Sequence, residues 1–237
     1  MKTKVIILCG GLGSRLAEET KIKPKPMVKI GKKPILSHII NYYNKFGFKN
    51  FILALGYKGS YIKKNLKYKK NINISFVKTG TKTLTGGRLL KLKNILKNEK
   101  YFHLTYGDGL TNQNLRKLEK FHLLHKKVAT ITAVRPPVRF GEINLSGTNV
   151  KNFQEKIQSN KNWINGGFFV FSKEIFNYIK NNNSMLETEP INMLIKAKQL
   201  KAFKHNGFWQ CMDTMRDKQA LEEMLKANKT PWIIKRK

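Results

Sequence analysis

The sequence predicts an α/β fold in which a mostly parallel sheet carries helices on both faces. Three observations lead there. Residues 5–8 are continuously apolar and largely β-branched, the pattern of a strand buried on both faces. That run breaks abruptly into Gly10, Gly11 and Gly13. Downstream, strand-like runs alternate with apolar stripes of helical period, the βαβα rhythm that builds a parallel sheet.

The elements follow in order. Ile35, Ile39, Ile40 and Tyr43 form a helical stripe, and 51–55 reads as a strand that turns at Gly56. Tyr61, Ile62 and Leu66 predict a short helix, followed by a strand at 72–77. Leu89, Leu92 and Leu96 predict one more helix before a strand at 101–105, which runs into Tyr-Gly-Asp-Gly at 106–109. Leu115, Leu118, Phe121 and Leu124 give the next helix, and 129–134 the next strand. The second half is less regular: strands at 142–145, 150–154 and 166–171, with helices after Ser172 and after Glu189. No linker, repeat or low-complexity tract separates the halves, so a single interleaved domain over 1–237 is expected.

With 47 basic and 14 acidic residues the formal net charge is +33. Such an excess attracts polyanions, yet the lysines are spread through every segment, with no basic tail and no arginine-rich block. Nucleic-acid binding is therefore not expected. Cys9 and Cys211 are too few for a disulfide framework. No stretch approaches the ~20 apolar residues of a membrane span. The first apolar run stops at Gly10, shorter than a signal-peptide core of about 7–15 residues. A cytoplasmic protein is the expectation.

The chemistry concentrates where strands end. Glycines after a buried strand let backbone N–H groups approach an anion, and phosphate is the natural guest. The spacing is not the dinucleotide fingerprint, since Leu16 stands where the third glycine would be, and no P-loop lysine follows. Instead the loop carries Ser14 and Arg15, and then Lys-Pro-Lys-Pro at 23–26. Pro24 and Pro26 restrict the backbone on both sides of Lys25, so its ammonium can be aimed. Asp108 lies between two glycines directly after a strand, and Asp213 follows the aromatic run 208–212. Two carboxylates from distant strand ends suit Mg²⁺, which takes one or two protein carboxylates plus phosphate oxygens. Singly, the lysine reads as part of a solvated loop and Asp108 as a turn former. Together with the glycine loop they describe a nucleotidyl-transfer site. Trp209 is open between core residue and sugar platform. His122 and His125, three apart on a helix, show no third metal ligand, so a solvated or capping role is expected.

These residues resemble the sugar-1-phosphate nucleotidyltransferases, and within them the glucose-1-phosphate cytidylyltransferase branch. The opening motif stands at Gly10–Leu16 and Lys23–Met27. Thr-Gly-Gly-Arg (85–88), Tyr-Gly-Asp-Gly (106–109), Arg-Phe-Gly (139–141), Phe-Gln-Glu-Lys (153–156), Trp-Ile-Asn-Gly-Gly-Phe-Phe-Val (163–170) and Gly-Phe-Trp-x-x-Met-Asp-Thr-x-Arg-Asp-Lys (207–218) follow in family order. The resemblance implies a Rossmann-like three-layer nucleotidyltransferase fold. Its nucleotide-binding part would span about 1–135, and a smaller β-rich part about 136–237 would bind sugar and supply the second metal ligand.

It also implies roles. Leu8, Gly10, Gly11, Leu12, Gly13, Ser14 and Arg15 would cradle the triphosphate, with Gly107 beside them, and Lys25 would neutralise the reacting α-phosphate. Arg15 and Lys25 would be catalytic. Thr83 and Arg88 would lie near the base, and Asp108 and Asp213 would hold Mg²⁺. Gly141, Glu155, Lys156, Asn165 and Gly166 would form the sugar-phosphate site. The implied reaction is transfer of a cytidylyl group from CTP to glucose 1-phosphate, giving CDP-glucose and pyrophosphate, which in relatives feeds the deoxysugars of lipopolysaccharide O-antigen. UTP, dTTP or GTP with another sugar phosphate is the sister reading, and a non-catalytic anion-binding protein the reading from another class. The segment from Asn65 to Thr83 is shorter than the arm relatives carry there, which weakens the implied homo-oligomer.

Overall fold

A computed structural model describes residues 3–137, 142–154 and 162–234. β1 (Lys4–Cys9) is the apolar run, and the reason for its continuous hydrophobicity is geometric. Val5, Ile7 and Cys9 point into one hydrophobic core, while Ile6 and Leu8 point into a second core on the opposite face. Side chains of a strand alternate between faces, so a strand covered on both sides has no polar positions left. Burial of each large side chain contributes about 1.5–3 kcal/mol.

After β1 come α1 (Ala17–Thr20), a small hairpin of β2 (Lys29–Ile30) and β3 (Lys33–Pro34), and α2 (Ile35–Lys45). Next are β4 (Asn50–Leu55), α3 (Gly59–Asn65), β5 (Asn73–Lys78), α4 (Thr85–Leu90), α5 (Lys93–Leu96) and β6 (Tyr101–Tyr106). β7 (Gly109–Thr111), α6 (Leu115–His125), β8 (Ala129–Val134) and the hairpin β9 (Glu142–Ser146) and β10 (Asn149–Gln154) follow. The chain continues through β11 (Ile164–Ser172), α7 (Glu189–Lys196), β12 (Leu200–His205), β13 (Trp209–Cys211) and α8 (Met215–Lys226).

The central sheet has the order β12-β8-β11-β6-β1-β4-β5. All neighbours pair in parallel except β11, which runs antiparallel to both β6 and β8. The expected mostly parallel sheet is therefore present, with one strand reversed. Strands of this kind bind ligands beyond their carboxyl ends, and β1 and β6 end there at Cys9 and Tyr106. Because β11 is reversed, its first residues, Ile164 and Asn165, arrive at that same edge opposite Val134 and Ala133.

Some elements differ from expectation. The helix expected around Leu89, Leu92 and Leu96 is two short pieces, α4 and α5, because an i→i+3 bond from Leu92 N–H to Leu89 O ends the first. The helix after Ser172 is a 3₁₀ segment, Lys173–Tyr178. Phe168, Phe169 and Phe171 are all core residues, in keeping with the sequence, since β11 is an interior strand with a core on each face. His122 is not solvated: it is buried, with Nδ1 at 2.9 Å from Thr130 Oγ1 and Nε2 at 3.1 Å from Ser172 Oγ. Burial, then the neighbouring His125 and His103, push its pKa down to about 4. His125 takes the capping role, accepting the Lys127 backbone N–H at Nδ1. Among the described residues no cluster of three or more His, Cys, Asp or Glu is arranged for a metal, and no helix is long and apolar enough to cross a membrane.

Candidate active site

The glycine loop emerges from β1 with Gly13 in the left-handed region (φ 68°), a conformation favourable to glycine. From that point Leu16 N–H closes a turn onto Gly13 O at 2.9 Å, starting the 3₁₀ segment Ser14–Leu16. Gly10 has a different reason to be glycine. A Cβ there would stand 2.1 Å from Arg88 Nη1, and one at Gly56 would stand 2.4 Å from the same atom. The Arg88 guanidinium is threaded between the two backbones. It donates to Thr79 Oγ1 (2.8 Å), Gly80 O (2.6 Å), Gly10 O (2.8 Å) and Thr81 O (3.2 Å). Arg88 is buried and these four bonds engage its terminal N–H groups, so the arginine braces the loop from behind. Replacing it with lysine leaves one ammonium to span four acceptors. Two of these acceptors, Thr79 Oγ1 and Gly10 O, are buried, and each left unmet costs roughly 1–3 kcal/mol, so Arg88→Lys is expected to lower the Tm by several degrees, read by thermal melting; an unchanged Tm would remove the bracing role.

In front of the loop opens a cleft of about 380 Å³. Its wall brings together Leu8, Gly10, Gly11, Gly13, Ser14, Arg15, Lys25, Thr83, Arg88, Gly107, Asp108 and Asp213, most of the residues expected at the nucleotide and metal. Leu12 is the exception, its side chain 58% exposed and outside the lining. Gly107 lets the backbone pass close, since a Cβ there would sit 3.0 Å from Leu8 O and from the Pro26 ring.

The centre of the cleft is ionic. Lys25 Nζ lies 2.6 Å from Asp108 Oδ2 and 2.9 Å from Asp213 Oδ1, and Arg15 pairs with the other oxygen of Asp213. Pro24 is extended (ψ 149°) and Lys25 begins a 3₁₀ turn, which delivers the side chain inward as the flanking prolines predict. Burial pulls the Lys25 ammonium down and the Asp108 and Asp213 carboxylates push it up; the balance stands above the ordinary lysine value. Asp213 is held from behind. Asp217 Oδ2 accepts the backbone N–H groups of Asp213 (3.1 Å) and Thr214 (2.8 Å), and with Thr214 forms the capping box of α8.

This donor set fits a hard divalent cation. Two carboxylates brought in from β6–β7 and β13–α8 aim their oxygens at one positive centre, here the ammonium of Lys25, and all the ligand atoms are oxygen. Burial first, then Asp108, raises the Cys9 thiol, and the same influences push Cys211 up to about 11. Both thiols are neutral at neutral pH.

A family model described as nucleotidyl transferase matches residues 4–221. The chain belongs to the nucleotidyl transferase family. It is 41% identical to glucose-1-phosphate cytidylyltransferase of Salmonella typhi over 97% of this chain and 98% of that protein. It is 30% identical to mannose-1-phosphate guanyltransferase of Schizosaccharomyces pombe over 90% of this chain and 62% of that one. The UTP-bound UGPase from Acinetobacter baumannii superposes with TM-score 0.74 at 15% identity, covering 96% of this chain and 94% of that one, which shows the shared fold.

Within this nucleotidyl transferase, Asn165 and Gly166 stand beside the cleft rather than in its lining. Asn165 Oδ1 accepts Gly167 N–H at 2.8 Å, and its Nδ2 lies 3.4 Å from Tyr106 Oη. Trp209 is half-buried: its ring packs against a core, and its Nε1 donates to Gly166 O at 2.7 Å. Gly141, Glu155 and Lys156 lie outside the described residues. Sequence reasoning missed Thr85, Tyr106 and Met185, which line the cleft, and Glu187 behind them. The only signal for the last was an acidic residue in a chain with 14.

Proposed function

We propose that this nucleotidyltransferase joins CTP to α-D-glucose 1-phosphate, releasing pyrophosphate and giving CDP-glucose, with Mg²⁺ held by Asp108 and Asp213. The observation that carries the reading is Lys25, aimed between two carboxylates in a glycine-walled cleft, in a chain 41% identical to a protein named for that reaction. The whole chain is read as one domain, because the sheet interleaves strands from both halves.

An oxygen of the sugar phosphate attacks the α-phosphorus; the new P–O bond forms as the bond to the bridging oxygen breaks, and pyrophosphate leaves with that electron pair. Two anions must approach, so positive charge has to be in place beforehand. Arg15 and Lys25 supply it from the chain, and the backbone N–H groups of the glycine loop receive the phosphate oxygens. Mg²⁺, when bound, neutralises phosphate oxygens. Glu155 and Lys156 are read as grips on the sugar hydroxyls and phosphate, with Gly141, Asn165 and Gly166 around the sugar. A carboxylate beside a lysine suits a ligand with hydroxyl donors next to a dianion.

A pyrophosphate-release screen tests this, crossing CTP, UTP, dTTP and GTP with glucose, galactose and mannose 1-phosphates. CTP with glucose 1-phosphate is expected to give the highest kcat/KM, about tenfold or more above the next pair. Preference for GTP with mannose 1-phosphate would move the protein toward its guanyltransferase relative. Silence with every pair would favour a non-catalytic anion-binding role.

A further inference from the structure

Glu187 has no part in the roles above, yet two cleft residues are tied to it. Thr85 Oγ1 donates to Glu187 Oε2 at 2.6 Å, and the Tyr106 hydroxyl donates to Oε1. A hydroxyl has one proton to give. With both protons directed at the carboxylate, each oxygen is left only as an acceptor. Thr85 Oγ1 accordingly accepts the Leu186 backbone N–H at 2.9 Å, and Tyr106 Oη faces the amide Nδ2 of Asn165 at 3.4 Å. The other end of that amide is fixed by Gly167 N–H on Oδ1. A single carboxylate therefore sets the direction of the hydrogen bonds that run through Thr85 and Tyr106 to Asn165.

We infer that Glu187 is a positioning residue of the sugar-phosphate site, acting through the Tyr106 hydroxyl to hold the Asn165 amide with its nitrogen, not its oxygen, on the tyrosine side. The inference rests on the reading of Asn165 as a sugar-site residue. So oriented, Asn165 keeps one amide N–H for an oxygen of the acceptor substrate. The carboxylate is needed as an ion because it alone accepts two hydroxyl protons. A glutamine offers one oxygen and one NH₂, so one of the two hydroxyls must turn its proton away. If Tyr106 turns, its proton meets the Asn165 NH₂. An Asn165 flip in response would set NH₂ against the Gly167 N–H, a donor against a donor.

The test compares Glu187→Gln, Tyr106→Phe and the double variant in the full chain. KM for the sugar phosphate and for the nucleotide are measured with whichever pair the screen selects, alongside thermal melting. Each single variant is expected to raise KM for the sugar phosphate about tenfold while KM for the nucleotide stays within about twofold. The double variant should be no worse than the singles, because both break one relay. Titration calorimetry with glucose 1-phosphate gives the same comparison without turnover. An enzyme that binds glucose 1-phosphate but turns over no nucleotide pair counts against the proposed function alone. Equal shifts in both KM values, additive losses, unaltered glucose 1-phosphate affinity in the variants, or a fall in Tm with no selective KM change would each overturn the positioning role. Should Glu187→Gln not fold, Tyr106→Phe alone decides.

Discussion

Lys25→Ala lowers kcat about 10²–10³-fold and leaves KM for the nucleotide within a few-fold. The size follows from what is removed, one preorganised charge aimed into a partly water-excluded cleft, where such a contact is worth ~3–4 kcal/mol to a transition state. The split between kcat and KM follows from timing, because charge on the α-phosphate oxygens is redistributed during attack and a contact that strengthens then acts on kcat. Lys25 is held by two carboxylates on a proline-stiffened turn, so its ammonium is already in place before substrate arrives. Lys25→Arg should recover only part of the rate, since a planar guanidinium is bulkier than an ammonium and presents its donors in a fixed fork. Steady-state kinetics beside Lys229→Ala, an exposed lysine, provides the comparison. Indistinguishable rates for the two alanine variants would reduce the Lys-Pro-Lys-Pro segment to a stiff loop.

Asp213→Asn lowers kcat by a similar factor, on the order of 10²-fold or more, and raised Mg²⁺ restores part of it. The asparagine keeps the shape but loses the charge, and Mg²⁺ gives up its hydration reluctantly for neutral oxygens. The fold should be indifferent, because the capping of α8 belongs to Asp217 and Thr214 rather than to Asp213. Circular dichroism and a Mg²⁺ titration of the rate separate the two effects. Full activity of the variant at ordinary Mg²⁺ would exclude Asp213 from the metal site.

The fold is legible in the sequence where apolar residues run continuously or recur at helical period, as in α2 and α6. β1 and β4 announce themselves by unbroken apolar runs, 5–9 and 51–55, in which every position is buried. β12 was missed because it is an edge strand, with Lys201, Ala202 and Lys204 exposed and little alternation to read. α8 was missed although its capping box, Thr214 and Asp217, stands in the sequence, because only Asp217 and Leu221 of the helix are buried and the apolar stripe is thin. In the site, glycines and prolines were readable because they restrict the backbone locally. Arg88 lines the cleft, but its bracing of the loop depends on Gly10, Gly56 and the 79–81 turn meeting in space, which no spacing reveals. Glu187 acts only through the hydroxyls of Thr85 and Tyr106, about 100 and 80 positions away in the chain, and such distant partners leave no local pattern.

The reversed direction of β11 has a consequence for how specificity can diversify. Because β8 ends at the ligand edge and β11 starts from it, the hairpin of β9 and β10 is inserted as an excursion between two points on the same rim. Loops anchored at both ends by sheet strands tolerate changes of length and sequence far better than the strands do. The glycine loop, by contrast, is locked by Arg88 between two glycine backbones, where even a methyl group collides. Change in such a chain is modular: packing fixes the glycine-loop side, while the β9–β10 excursion can vary without rebuilding the sheet.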